Sequence, residues 1–243
     1  MGLLDSLFGG SREEREAKRI RELSKKTQEK YGDAGARTRA LEQLRDIGSP
    51  QAIAALLQRF TVTTEPGITD AEEKEFTLSI ITSFGDAAVG PVEDFIRGQD
   101  SVGWAVRCLE ELVDEDRVIG TLTSVLDQLS REYVREPDKK VLLINHLADY
   151  KDPRIDPAVS AFLDDPSDEV RVAALQTLVK QGDTGAREAI VACLTNAEAP
   201  RVRTAAAGAL ADLGLPLDGA REQVAARLPA GYSLDDAGVV RRA

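Results

Sequence analysis

Few side chains in this 243-residue sequence could carry covalent or acid–base chemistry, and they are scattered. His146 is the one histidine, set in Leu143-Ile144-Asn145-His146-Leu147. A Ser–His hydrolase needs a nucleophile and an orienting acid brought to that imidazole, and nothing local supplies them. Cys108 and Cys193 lie far apart, each inside an apolar helical pattern, which reads as two buried free thiols and not a disulfide framework. Transition-metal sites favour several His or Cys ligands, so no metal site is expected. No Gly-rich phosphate loop is present, and no cofactor is expected. Asp164-Asp165 and Asp235-Asp236 have the residue types for general acid–base work. At turns of an acidic chain they read as helix caps and solvated surface. The expectation is a protein without catalytic residues.

The strongest functional signal is of another kind. Met-Gly-Leu-Leu-Asp-Ser-Leu-Phe-Gly-Gly opens the chain, and Leu3, Leu4, Leu7 and Phe8 fall on one helical face opposite Asp5 and Ser6. So short a helix is marginal alone in water, so that face needs a membrane interface, a partner groove or its own fold to cover it. Full burial of four large side chains at ~1.5–3 kcal/mol each sets a ceiling near 6–12 kcal/mol before ordering costs, enough for reversible docking. Met1-Gly2 with Ser6 also fits the short myristoylation pattern. That would matter only in a source with the transferase, and the Ala-rich, Arg-over-Lys composition reads as bacterial.

Net charge is -11, with 31 basic and 42 acidic residues. Residues 1–30 carry +2 and the remainder -13, so a slightly basic leader precedes an acidic body. Nucleic acid is excluded as a partner, because phosphate neutralisation needs a basic face and this chain has no dense basic stretch. Aromatics are only 5% of residues, too few to interleave as stacking platforms. No apolar run approaches the ~20 residues that span a bilayer, and no secretory signal opens the chain. The expected location is cytoplasmic, with the leader able to reach the inner face of a membrane.

The elements that would position these residues are helices. Ser11 and Glu14 form a capping box for a charged helix over residues 12–31, with a thin stripe of Ala17, Ile20, Leu23 and Tyr31. From Ala36 the pattern becomes helix pairs. Leu41, Leu44 and Ile47 precede a stop at Gly48, and Ser49-Pro50 starts the partner helix with Ile53, Leu56, Leu57 and Phe60 inward. Thr69 with Glu72 is read as the next cap, followed by a stripe of Phe76, Ile80 and Phe84. Pro137 breaks a later helix that carries Val118, Leu122, Val125, Leu126, Leu129 and Tyr133. Near the C-terminus one phrase occurs twice, 32 residues apart: Val170-Arg171 as Val202-Arg203, Ala173-Ala174 as Ala205-Ala206, Leu178 as Leu210, Gly182 as Gly214. A fixed period on helical spacing marks a stacked array. Asp168 is read as a helix cap and Arg171 as reaching a neighbouring repeat. No segment alternates with period two for long enough to argue a sheet.

These motifs resemble HEAT repeats, in particular the short bacterial kind shared with phycobilisome-lyase-type proteins. The likeness is carried by Asp152-Pro153-Arg154, by Asp164-Asp165-Pro166 and by Asp168-Glu169-Val170-Arg171-Val172-Ala173-Ala174 to Gly182-Asp183. Ala88-Val89-Gly90-Pro91 matches the start of a second helix. It is specific over residues 150–215, weaker over 36–98 and loose over 101–149; residues 1–35 fall outside it. The resemblance implies an all-α, right-handed solenoid of about six helix pairs with an N-terminal helical extension. A metal-dependent hydroxylase built on such repeats uses repeated His-Glu pairs, whereas His146 is followed by Leu147. No pigment-binding residue transfers from the lyases.

The expected organisation is a leader over 1–10, a charged helix over 11–35, a solenoid over 36–229 and a cap or tail over 230–243. The expected function is a non-enzymatic protein-binding scaffold or adaptor, its partner a protein with a basic or amphipathic segment and its leader a tether to a membrane or larger assembly. The alternative is an enzyme helper or lyase-like modifying subunit, which a pocket around His146, Tyr133 or Cys108 would favour.

Overall fold

A computed structural model describes residues 11–130, 137–217 and 219–243. The leader residues Leu3, Leu4, Leu7 and Phe8, and Tyr133, lie outside the described residues. The chain divides into two compact units, Met1–Asp114 and Glu115–Ala243. Its class is that of an all-α, HEAT-type solenoid.

The first unit opens on α1 (Arg12–Thr27). The Ser11 hydroxyl accepts from the Glu14 amide and the Glu14 carboxylate accepts from the Ser11 amide, so the capping box forms as its spacing predicts. The helix ends at Thr27, earlier than the apolar pattern suggested, and Tyr31 is fully exposed in the turn beyond it. Ile20, Leu23 and Thr27 make the buried stripe.

Next come α2 (Ala34–Ile47), α3 (Pro50–Leu57) with a 3-10 turn over Gln58–Thr61, α4 (Gly67–Thr82), α5 (Asp86–Gly98) and α6 (Gly103–Leu112). Gly48 stops α2 and Ser49-Pro50 starts α3, with the Ser49 hydroxyl accepting from the Ala52 amide. Two readings change. α4 begins at Gly67 behind Pro66, leaving Thr69 inside the helix and not capping it. The other concerns the Ala88-Val89-Gly90-Pro91 motif: α5 begins at Asp86, two residues ahead of it, with Pro91 inside the helix. Within this unit α1, α3 and α5 lie side by side as one layer, and α2, α4 and α6 form the other. Leu41, Leu44, Ile53, Leu56, Ile81 and Ile96 are fully buried between the layers.

The second unit contains α7 (Glu115–Ser130), α8 (Asp138–Leu147), α9 (Ile155–Ser160), α10 (Asp168–Gln181), α11 (Arg187–Asn196), α12 (Pro200–Leu213) and α13 (Arg221–Ala225). Here α8, α10 and α12 form one layer, and α7, α9, α11 and α13 the opposite side. The repeated phrase falls on α10 and α12, which pack against each other, and Ala173, Ala174, Ala206 and Ala207 on them are buried. Gly182 and Gly214 take φ of 75° and 60°, the left-handed C-cap that the repeat requires. Ser167 is the N-cap residue of α10, and Asp168 is its first residue, a correction to the expected Asp168 cap.

The tail after Pro229 is a hairpin, with β1 (Tyr232–Leu234) antiparallel to β2 (Val240–Arg242). Two three-residue strands are too short for period two to register in sequence. The hairpin lies on α12, where Val240 is fully buried and Arg242 pairs with Asp212 at 2.7 Å. Gly208 makes room for it: a Cβ there would stand 3.2 Å from the Tyr232 hydroxyl.

Candidate functional site

The residues singled out for chemistry are kept apart. His146 is half-buried on α8. Cys108 and Cys193 are buried free thiols. Burial, helped by the Glu111 charge, pushes the Cys108 thiol up to about 12. Burial pushes Cys193 up to about 11, with Asp164 raising it and Arg171 opposing. Thiols so far above neutral pH are poor nucleophiles.

The carboxylate pairs divide between roles. Asp165 is buried, takes the Lys140 ammonium at 2.8 Å and accepts from the Ser167 amide, while Asp164 is exposed. Asp235 accepts from the Val239 amide at 2.8 Å and from Arg241 at 2.9 Å, which closes the C-terminal hairpin. Among the described residues, no group of three or more His, Cys, Asp or Glu could hold a metal ion.

Sequence reasoning missed a buried charge network in the first unit. Arg37, Arg59, Asp70, Glu73 and Lys74 are all at most 7% exposed. The Arg37 guanidinium donates through Nε and Nη2 to Glu73 at 2.9 and 2.8 Å, and through Nη1 to the carbonyls of Glu29 and Gly32. Arg59 donates to Glu73 at 3.1 Å, to Asp70 at 2.6 Å and to the Val62 carbonyl at 3.0 Å. Lys74 meets the other Asp70 oxygen at 2.8 Å. Burial works to raise the Asp70 carboxyl, but hydrogen bonds from Lys74, Arg59 and the Thr64 amide outweigh it and hold it below the usual range. These bonds tie α2, the 3-10 turn and α4 to the loops between them. Their sequence signal was a charge set on an apolar face: Arg37 shares the α2 stripe with Ala40, Leu41 and Leu44.

What opens to solvent is a set of inter-helix grooves. On the α1–α3–α5 layer, a cleft of about 580 Å³ between α1 and α3 is lined by Arg12, Glu13, Glu16 and Gln51 above Ala17 and Ile20. A second, of about 490 Å³ between α3 and α5, is lined by Pro50, Gln51, Ala54, Gly90, Pro91 and Asp94 over Leu57 and Phe95. Gln51 borders both, so the two clefts adjoin. α3 carries no charged residue, and among the described residues Asp94 is the one charge lining the second cleft. In the second unit a cleft of about 290 Å³ separates α9 from α11, lined by Ser160, Leu163, Asp164, Arg171, Cys193 and Asn196. Arg171 pairs with Asp168 on its own helix and not with a neighbouring repeat, a correction to the expected ladder contact. Its buried Nε has no partner among the described residues.

Residues 155–243 match the family model for HEAT repeats, and residues 36–60 match that of the PBS lyase HEAT-like repeat. The chain is a HEAT-repeat protein. In these terms the grooves open between one helix of a HEAT pair and its counterpart in the next. Among solved structures, human deoxyhypusine hydroxylase in complex with glycerol is 18% identical to this HEAT protein. The match covers 84% of this chain and 88% of that one at a TM-score of 0.33, a likeness too slight to carry an argument. No curated protein matches.

Proposed function

We propose that this HEAT protein is a non-enzymatic scaffold or adaptor that binds a partner protein along the inter-helix grooves. HEAT repeats commonly mediate protein–protein interaction. The observation that carries the reading is the α3–α5 groove, where Pro50, Gln51, Ala54, Gly90 and Pro91 form a neutral, small-residue rim over Leu57 and Phe95. In a chain that is 30% charged, a groove whose lining among the described residues carries one charge, Asp94, suits the apolar side of a docked segment. The surrounding body is strongly acidic, which favours a partner whose other side is basic. Such a partner is an amphipathic helix or strand with Lys or Arg on one face.

The leader face of Leu3, Leu4, Leu7 and Phe8 serves in this reading as a tether to the inner membrane surface or to a larger assembly. No helix among the described residues is long and apolar enough to cross a membrane. A cytoplasmic location is part of the same proposal.

Affinity purification from the native cell tests both parts, using the full chain, a version lacking residues 1–10 and the groove variant Gly90→Arg. A Cβ at Gly90 meets nothing within 4 Å, so the arginine projects into the groove without disturbing the core. The scaffold reading expects one partner set lost with Gly90→Arg and membrane or assembly proteins lost with the truncation. An unchanged partner list for both variants refutes it. Capture of a modifying enzyme that depends on the chain for activity would make it a helper subunit.

A further inference from the structure

The second unit repeats itself in a way that exposes a missing side chain. Gly185-Ala186-Arg187-Glu188 at the start of α11 recurs as Gly219-Ala220-Arg221-Glu222 at the start of α13, and Ala192-Cys193-Leu194 recurs as Ala226-Arg227-Leu228. Cys193 and Arg227 are therefore counterparts in successive repeats. Arg227 reaches back to the end of α11, donating through Nε to the Thr195 carbonyl at 3.1 Å and through Nη2 to the Ala197 carbonyl at 2.8 Å. It thereby satisfies carbonyls that a helix C-terminus leaves without partners, at the negative end of the helix dipole.

One repeat earlier, the short Cys193 side chain cannot make that reach. There lies the 290 Å³ cleft between α9 and α11, lined by Cys193 itself and by Leu163 and Asp164 from the chain just after α9. α9 and α11 make little direct contact, in keeping with an open space between them.

We propose that this cleft takes the guanidinium of an arginine from a partner protein, which fills in trans the place that Arg227 fills in cis one repeat later. Asp164 lines the cleft and is exposed, so it supplies a carboxylate at the rim. Arg171 also lines the cleft, with its charge paired to Asp168. In the filled repeat its counterpart Arg203 shares the Ala197 carbonyl with Arg227, so two guanidiniums stand side by side there. The proposal deepens the scaffold reading by naming the chemistry of the partner's basic face.

The test is an NMR titration of the full chain with N-acetyl-arginine methylamide, with the neutral isostere N-acetyl-citrulline methylamide as control. The arginine probe should give saturable shifts at the amides of Asp164, Ala192, Cys193 and Asn196, and citrulline should not. Asp164→Asn should weaken binding by up to about fivefold, the scale of one partly screened ion pair. Cys193→Arg should abolish it, because the new side chain occupies the cleft as Arg227 does in its own repeat. Equal shifts from citrulline, non-saturable shifts, or shifts confined to other helices overturn the proposal. Asp164→Asn is a surface change and keeps the test decisive should Cys193→Arg misfold. A partner still captured by the Asp164→Asn and Cys193→Arg variants sinks this cleft while leaving the scaffold reading in place. Saturable binding here with no partner captured by the full chain does the reverse.

Discussion

Glu73→Ala should be among the most destabilising single changes in the first unit, although Glu73 touches no groove. Its carboxylate receives two hydrogen bonds from Arg37 under 3.0 Å and one from Arg59 at 3.1 Å, with all three side chains buried. At an effective dielectric constant of about 20, each charge pair at ~4 Å between charge centres is worth about 4 kcal/mol. Desolvating each ion costs several kcal/mol, so the intact network contributes little net. Removing one member is different, because Arg37 keeps its buried charge and, among the described residues, retains the Glu29 and Gly32 carbonyls as its hydrogen-bond partners. Breaking a buried pair in this way costs about 3–5 kcal/mol. Set against a total stability of about 5–15 kcal/mol, that is a large share. At about 3–5 °C per kcal/mol for a unit of this size, the melting temperature should fall by roughly 10–20 °C. Circular dichroism during thermal and urea unfolding of the full chain reads this directly. Arg37→Met combined with Glu73→Leu should recover most of the loss, since no lone charge is left behind. A Glu73→Ala cost below about 1 kcal/mol, or a double variant worse than the single, refutes the reasoning.

Other outcomes follow from the same geometry. The depressed Asp70 carboxyl stabilises the fold fully above the unfolded-state value near 4, and that contribution is lost as pH falls through its lower folded value. Acid titration of Asp70→Asn should therefore show a weaker loss of stability below about pH 4 than the parent chain. Asp156 goes the other way: burial and the Asp183 charge raise its carboxyl, and its Oδ1 lacks a partner among the described residues. What it contributes is present at low pH and fades as pH rises through its folded value, so Asp156→Asn should be neutral or stabilising at pH 7 in a melting assay. At pH 8 a thiol near 12 is ionised in about one molecule in ten thousand, so iodoacetamide should label Cys108 only on unfolding. Gly208→Val should displace the C-terminal hairpin, since a Cβ would stand 3.2 Å from the Tyr232 hydroxyl, and proteolysis after Pro229 should report it.

Much of the repeat architecture was readable because its signals are local. The Ser11–Glu14 box, the Gly48 stop before Ser49-Pro50 and the paired Gly182 and Gly214 caps each depend on residues within one turn of the boundary. α4 was harder, because its buried face is Asp70, Glu73, Lys74 and Thr77 as well as Leu78 and Ile81. An apolar stripe is a poor guide where ion pairs fill the interior, and Phe76, expected inward, is only half-buried. The grooves were illegible for a different reason. They are spaces left between counterpart helices, and their existence turns on whether one side chain reaches across, as Arg227 does and Cys193 cannot. The sequence contained the sign of that difference in the second copy of Gly-Ala-Arg-Glu, with a two-residue longer spacing than the 32-residue repeat. The leader's role turns on residues 1–10, outside the described residues.

The charge network also constrains how this sequence can change over generations. Arg37, Arg59, Asp70, Glu73 and Lys74 come from α2, the 3-10 turn and α4, and each is held by at least one of the others. Loss of Glu73 removes the acid that Arg37 pairs with, and loss of Asp70 the acid that Lys74 pairs with, so the positions are coupled and their effects do not add. Surface residues of the same helices can drift one at a time, whereas these five are expected to vary together or stay. In a set of descendants the first unit should thus show an inherited block, in which an apolar exchange at Arg37 travels with one at Glu73, set among helices whose outer faces diverge independently.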